Sequence, residues 1–493
     1  MILLLVAVPF AAGIAVFLVR RKSFSRIMLV SAAAAHTVLF LFFCSYRANG
    51  TPLSKWFYLD DLGTLFLGSL SFLFLAAALY GVNYLRRESS VAAEKDRGDD
   101  IFANAPEALF VGCMLIFLSA MTLVMVSRHL GVIWIAIEAT TLASAPLIYF
   151  HRHDRSLEAT WKYLLICSVG IALALIGNLF LAIAGSGNVQ GYAPLFLDNL
   201  LANASTLSAP CLKIAFIFIL IGYGTKMGLA PMHTWLPDAH SEAPSVVSAV
   251  LSGALLNSAF LGILRVHEVC IASGLGAYSG DLILFFGAIS MAIAAVFILS
   301  QTDYKRMLAY SSVENMGFIA LGTGLGGGAV FGSMLHLVNH SFAKAMLFLV
   351  AGNILAVYRT RIVSRVKGAL KILPISGILW VCGFLVISGM PPSGIFLSKF
   401  IVLRSALASG HPFIVVFSLA VVAVVFIGMS INIFKMAQNG TEEAIAAGDE
   451  KGERTLAVLS PLLLLLAVVF LGLYVPPVLE NLLEHAARAA GGS

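Results

Sequence analysis

Three lysines, one glutamate and two histidines stand in this sequence where charge is expensive. Glu138 interrupts the apolar run GVIWIAIEATTLASAPLIYF, and Lys226 lies near the end of the one that climbs from Lys213. Lys344 shares FGSMLHLVNHSFAKAMLFLVAGNIL with His336 and His340, and Lys399 follows Pro391 and Pro392. A charged side chain at a bilayer centre costs at least about 2.5–3.5 kcal/mol, so such residues read first as an ion path. The chemistry they share is proton exchange. A buried carboxylate needs a partner or a proton, and a buried ammonium needs a partner or releases its proton; side by side, each stabilises the other's charge. Glu138 and Lys226 are therefore expected to pair, with a geometry that sets how tightly the lysine holds its proton. His336, His340 and Lys344 fall at i, i+4 and i+8, on one helix face and over about 12 Å of axis. Histidine exchanges protons near neutrality, so the stripe reads as a proton wire.

Two helix breaks flank these groups. Pro231 follows Lys226 by five residues, and the polar stretch after it carries His233, Asp238, His240 and Glu242. A break at membrane depth is tolerated where it is buried in protein or lines a wet cavity. The four polar residues are expected in a loop there, gathering protons at a mouth or capping the next helix. Pro391 and Pro392 interrupt a second run, freeing carbonyls beside Lys399 and admitting water; the alternative for Lys399 is a lysine snorkelling from a helix end. Lys162 and Glu314 lie within about two turns of the membrane face that gathers the basic loops, and read equally as solvated residues. Asp303, Lys305 and Arg306, in SQTDYKR, read as an interfacial cluster with a structural role.

The elements that must hold these residues follow from composition. Of 493 residues, 60% are hydrophobic and 11% charged, against roughly 25% charged in a soluble protein. Apolar runs long enough to cross about 30 Å of hydrocarbon recur through the chain, about fourteen in all. The chain therefore reads as an all-α polytopic membrane protein. The net charge of +6 is spread over short loops rather than gathered into a patch, which excludes nucleic acid and sets topology instead. Alternate loops hold Arg20, Arg21, Lys22 and Arg26, then Arg86, Arg87, Lys95 and Arg97, then Arg152 and Arg155. The same face collects Lys305, Arg306, Arg359, Arg361, Arg365, Lys367, Lys371, Lys435, Lys451 and Arg454, while the other has a handful such as Arg47, Lys55, Arg128 and Arg265. By the positive-inside rule both termini face away from the cytoplasm. The first apolar run has its basic cluster after it and reads as a retained span. The six cysteines are scattered singly, and no CxxC, GxGxxG or P-loop appears, so no metal, cluster or nucleotide is expected in this chain. No loop is long enough for a soluble domain. Gln438–Gly452 reads as a flexible acidic loop and Val475–Ser493 as a frayed amphipathic tail.

Two proline-interrupted helices in corresponding positions are the mark of an inverted-repeat transporter. The expected division is residues 1–107 as three leading spans, 108–266 and 282–436 as two repeats, and 437–493 as loop, last span and tail.

Three stretches carry a family resemblance: GYGTKMGLAPMHTWLPDAHSEAPSVVSAVLSG, SQTDYKRMLAYSSVENMGF and HLVNHSFAKAMLFLVAGNI. They resemble the antiporter-like proton-pumping subunits of respiratory complex I, membrane-bound hydrogenases and multisubunit cation/proton antiporters. The resemblance implies fourteen transmembrane helices with two inverted five-helix repeats, each containing a broken helix. It implies roles in proton translocation for Glu138, Lys226 and Lys399. Where some members carry a lysine in a stretch like GxLLK, this chain has GALLN, so the route between the half-channels would pass through water, Asn257 and the stripe of His336, His340 and Lys344. The long lateral amphipathic helix of the terminal complex I subunit is not expected here, and Asn257 and the wording SSVEN are most similar to the hydrogenase-4-type, or formate hydrogenlyase, membrane subunit. The partners implied are the other membrane subunits of a hydrogenase or complex I-like assembly, its peripheral redox arm and the bilayer of a bacterial or archaeal inner membrane. Iron–sulfur, nickel–iron or flavin centres are expected in those partners alone. A sodium/proton antiporter subunit driven by ion gradients is the alternative.

Overall fold

Apolar runs in a solvent without hydrogen-bond partners can satisfy their backbone only as helices or closed barrels. A computed structural model of the chain, which describes residues 2–46, 56–95, 104–186, 195–438, 453 and 455–492, resolves the choice as helices. Among the described residues, extended pairing is confined to the isolated bridges Phe57–Ser127, His129–Phe196 and Asp303–Ile362. The expected acidic loop over Gln438–Gly452 lies almost wholly outside the described residues, as do Arg47, Lys55, Arg97, Lys451 and Arg454.

In chain order the helices are α1 (Ile2–Val19), α2 (Lys22–Tyr46), α3 (Asp61–Lys95), α4 (Glu107–Val126), α5 (Leu130–Ile148), α6 (Asp154–Gly185) and the short α7 (Leu197–Ala202). The next segment is α8 (Ala209–Met227), a break, and α9 (Trp235–Glu242). After it α10 (Ser245–Val250) and α11 (Leu256–Ala272) run on through a π turn at Leu251–Leu255. Then come α12 (Gly276–Leu299), α13 (Tyr304–Leu325), α14 (Gly328–Tyr358), the single turn α15 (Ala369–Ile372), α16 (Pro374–Ser388), a second break, α17 (Gly394–Ala408) and α18 (Pro412–Ala437). Thr455–Leu473 and Pro477–Ala489 close the chain. Twelve of the described segments are long and apolar enough to cross a membrane. α13 and the α16/α17 pair are not among the twelve, yet they pack within the same bundle, α13 against α12 and α14, and α17 against α14. Burial is uneven. The segment Ser245–Ala272 lies at the centre, whereas α1, α2, α6 and α18 turn apolar faces outward.

Both breaks are built alike. α8 ends at Gly228 (φ +83) and α16 at Gly389 (φ +90), each in the left-handed region that only glycine enters freely. Leu229 N donates to Gly224 O (2.9 Å) and Met390 N to Leu385 O (3.0 Å), the closing bonds of a Schellman motif. Trp235 Nε1 then takes up Thr225 O (2.8 Å), and Ser290 Oγ accepts from Ala230 N (2.8 Å). These bonds answer the unpaired backbone of a helix that stops inside a membrane.

Two expectations are corrected. His233, Asp238, His240 and Glu242 do not sit in a loop: His233 is in a 3₁₀ turn, and the other three are on α9, which resumes helix directly after the break. The last residues are not a frayed tail. Pro477–Ala489 is a docked amphipathic helix that buries Leu483, Ala486 and Ala487 against α3 and α14, and Gly491 O accepts from Gly327 N (3.1 Å). One apolar stripe on an otherwise polar helix provides enough buried surface to hold it.

Candidate functional site

The first group gathers around Lys226. Its side chain is fully buried near the end of α8, one turn before the break. α6 can approach because glycines face each other: a Cβ on Gly222 would lie 2.6 Å from Gly170 O, and one on Gly170 would lie 2.7 Å from Thr225 Cβ. That approach brings Tyr163 of α6 against Lys226. Lys226 Nζ donates to Tyr163 Oη (2.7 Å) and stands 4.6 Å from its ring centroid, while Tyr163 Oη and Ser144 Oγ share a hydrogen bond of 2.6 Å. Glu138 is near this group but not ion-paired with it, accepting from Thr141 Oγ1 (3.1 Å) and Ser168 Oγ (3.2 Å) on the partly exposed flank of α5 and α6. The expected direct Glu138–Lys226 pair is therefore not formed; a tyrosine holds the lysine, and two hydroxyls hold the carboxylate.

The second group gathers around Lys399 on α17, seven residues after Pro392. Lys399 Nζ lies 3.5 Å from Glu314 Oε1, with side chains 9% and 1% exposed. Glu314 is thus no solvated residue but a buried counter-ion, and Lys399 is no snorkelling lysine. Asn315 Nδ2 donates to Glu314 Oε2 (2.5 Å), and Asn315 Oδ1 lies 2.9 Å from His336 Nε2. His336 Nδ1 is 2.8 Å from Ser398 Oγ, which closes a ring of polar contacts among α13, α14 and α17.

The stripe on α14 joins the second group through His336. His336, His340 and Lys344 are all fully buried, and the two imidazoles stack with centroids 6.5 Å apart. Lys344 Nζ donates to Ser311 Oγ (2.7 Å) and Leu308 O (2.9 Å) of α13. Asn257 stands just past the π turn and donates to Gly253 O (3.0 Å) and to Ser341 Oγ (2.7 Å), beside His340. Ser252 in the same turn bonds Ser312 of α13 (2.8 Å). Both ring nitrogens of His340, Asn257 Oδ1 and Asn339 Oδ1 have no protein partner. Buried polar atoms in that condition are the pattern of a site that holds water. Among the described residues no hydrogen bond joins Lys226 and Tyr163 to Asn257.

A charged mouth lies at the end of α9. Asp238 pairs with Lys162 (3.1 Å) and with Arg306, and Glu242 pairs with Arg361 (2.7 Å) and lies 3.5 Å from His153. Lys162 also pairs with Glu158 (2.6 Å) and is exposed. Asp303 caps α13 by accepting from the backbone N of Lys305 (2.7 Å) and Arg306 (3.1 Å). His233 is buried against Tyr310 and Phe297, and His240 is buried and stacked on Phe348.

Sequence reasoning missed three features: Tyr163, the ring closed by Ser398 and Asn315, and a clamp on the opposite membrane face. There Asp60, just before α3, meets Arg265 through both oxygens (2.5 and 2.7 Å) and Arg128 (2.9 Å). Burial pushes the Asp60 carboxyl up, but the two guanidiniums override it and hold it down at about 2. Arg265, fully buried inside an apolar segment, was the available signal.

Residues 127–427 match the family described as NADH:quinone oxidoreductase/Mrp antiporter, TM. The chain is 34% identical over 444 residues to a Hydrogenase-4 component F homolog of Methylacidiphilum infernorum (isolate V4), covering 88% of this chain and 89% of that one. In fold it is similar to a chain of the membrane-bound sulfane sulfur reductase, an archaeal respiratory membrane complex, with TM-score 0.86, 20% identity, and coverage of 100% and 98%. It is also similar to a chain of respiratory complex I from Thermus thermophilus, with TM-score 0.81, 22% identity and full coverage of both.

Proposed function

The chain belongs to the NADH:quinone oxidoreductase/Mrp antiporter transmembrane family, and from that premise we propose that it is the proton-translocating membrane subunit of a redox-driven complex of hydrogenase or NADH:quinone oxidoreductase type. One observation carries the reading: two buried lysines, each beside a helix break, share the bundle with a fully buried stripe of titratable side chains on α14. A proton taken up at the α9 mouth would reach Lys226, and Tyr163 is placed to pass it on. The next carriers would be water beside Asn257, then His340, Lys344 and His336. Release would follow through Glu314 and Lys399 at the second break. Glu138 would gate loading by moving between its hydroxyl partners and Lys226, since an approaching carboxylate stabilises the ammonium.

The electron chemistry, with any iron–sulfur, nickel–iron or flavin centre, would belong to partner subunits of a bacterial or archaeal inner-membrane assembly. The basic loops support placing the α9 mouth at the cytoplasm and both termini opposite. The matching glycine–proline breaks support two repeats over 108–266 and 282–436, and a total of fourteen spans. The family's description also names Mrp antiporters, which favours a second reading as a sodium/proton antiporter subunit; antiporter rather than hydrogenase or dehydrogenase gene neighbours would select it.

The test is Lys226→Ala in the assembled complex, reconstituted in liposomes. Proton uptake coupled to electron transfer is expected to vanish while the complex stays assembled. Undiminished uptake would remove Lys226 from the path.

A further inference from the structure

On the basic face of the membrane a cleft of about 490 Å³ opens between the ends of α6, α9, α13 and α14. Five arginines and two carboxylates line it. The carboxylates are spent within the fold. Arg361 Nη1 donates to Glu242 Oε1 (2.7 Å) and to Ser241 O (2.6 Å), and Asp303 is held by Ser241 Oγ (2.6 Å) and the first turn of α13. Arg306 is spent too, on Asp238. Arg155, Arg359 and Arg365 remain, and among the described residues their side chains have no carboxylate partner.

Their placement is fixed. Arg155 is in the first turn of α6, and Arg359 ends α14 in the left-handed region (φ 55). The return after α14 is pinned where Tyr304 N donates to Arg361 O (3.1 Å) and Val363 N to Thr302 O (2.9 Å), and Arg365 closes the 3₁₀ turn Val363–Arg365 that follows. Three exposed arginines thus line one cleft at the ends of apolar helices long enough to cross a membrane. Like charges gathered in a concave site repel unless an anion joins them. Guanidinium forks match phosphate oxygens two at a time, and basic pockets between membrane helices suit phosphate headgroups.

We propose that this cleft binds a phosphate group, either the phosphodiester of an anionic phospholipid or free inorganic phosphate. The two sources are separated by two measurements on the full chain in nanodiscs. In discs of equal parts phosphatidylglycerol and phosphatidylcholine, native mass spectrometry reads which lipid is retained. In phosphatidylcholine discs, titration with inorganic phosphate reads a rise in unfolding temperature. Retention of phosphatidylglycerol, on the order of tenfold over phosphatidylcholine, identifies the lipid; a phosphate-dependent shift without it identifies the free anion. Either signal is expected to disappear in the triple variant Arg155→Ala, Arg359→Ala, Arg365→Ala. It should weaken in Arg365→Gln, which alters an exposed turn and keeps the fold testable should the triple variant not assemble. Arg20→Ala, on the same face at the end of α1, should leave it unchanged. The site is refuted if neither signal exists in the wild type, if the arginine variants keep it, or if Arg20→Ala loses as much.

Discussion

Lys226 and Lys399 are the same device in two settings. Each lies beside a helix that ends at a left-handed glycine and restarts past a proline, and each is buried. Around Lys399 the circuit is closed, with the ammonium 3.5 Å from Glu314. Around Lys226 it is open, with the ammonium on the Tyr163 hydroxyl while Glu138 bonds Thr141 and Ser168. A carboxylate stabilises an ammonium far more than a phenol does, so the two lysines are stabilised unequally by their partners in one and the same structure. A proton moves only if that inequality reverses. The contrast suggests that Glu138 closing on Lys226 and Glu314 opening from Lys399 are the two ends of one cycle.

Glu314→Gln should have the largest effect. It leaves Lys399 buried with no counter-charge, and breaking such a pair costs about 3–5 kcal/mol. Expressed as a barrier, even the lower figure is roughly a hundredfold loss of proton-transfer rate. Coupled proton uptake in liposomes reads it. Normal uptake would mean that the closed pair is only structural and the likeness of the two halves superficial. Tyr163→Phe should cost less, since it removes one hydrogen bond to a charged group, about 1.5–3 kcal/mol, or roughly ten- to a hundredfold in rate. Replacing the phenol sharpens the comparison if uptake falls while electron transfer continues. An unchanged rate would put the proton's path to Lys226 elsewhere.

Much of this was legible in the sequence because the bilayer makes it so. A lysine or histidine in an apolar run has no cheap explanation, which is why Lys226, His336, His340, Lys344 and Lys399 stood out. Glu314 did not, for a physical reason. α13 is enclosed by α12, α14 and α17, so it carries Ser311, Ser312, Glu314 and Asn315 without facing lipid, and its polarity disguised it as interfacial. Tyr163 was invisible for another: its role exists only because Gly170 and Gly222 let α6 and α8 touch. The docked last helix shows the same limit, since amphipathic character alone does not say which face will find a partner.

The smallest expected effect concerns the join. Asn257 bonds Ser341 beside His340, at the π turn that also reaches α13 through Ser252. Asn257→Leu removes about 1 kcal/mol of net hydrogen bonding, which alone predicts only about a fivefold slower uptake. Its diagnostic value lies in coupling. If the open and closed lysines are ends of one cycle, Tyr163→Phe and Glu314→Gln should be non-additive in the wild-type background, because each alters the state the other reads. With Asn257→Leu as background, the link through the stripe is cut and the same two effects should become additive. Additivity in both backgrounds would mean that the halves work independently, and the difference between Lys226 and Lys399 would then be two local designs rather than two moments of one motion.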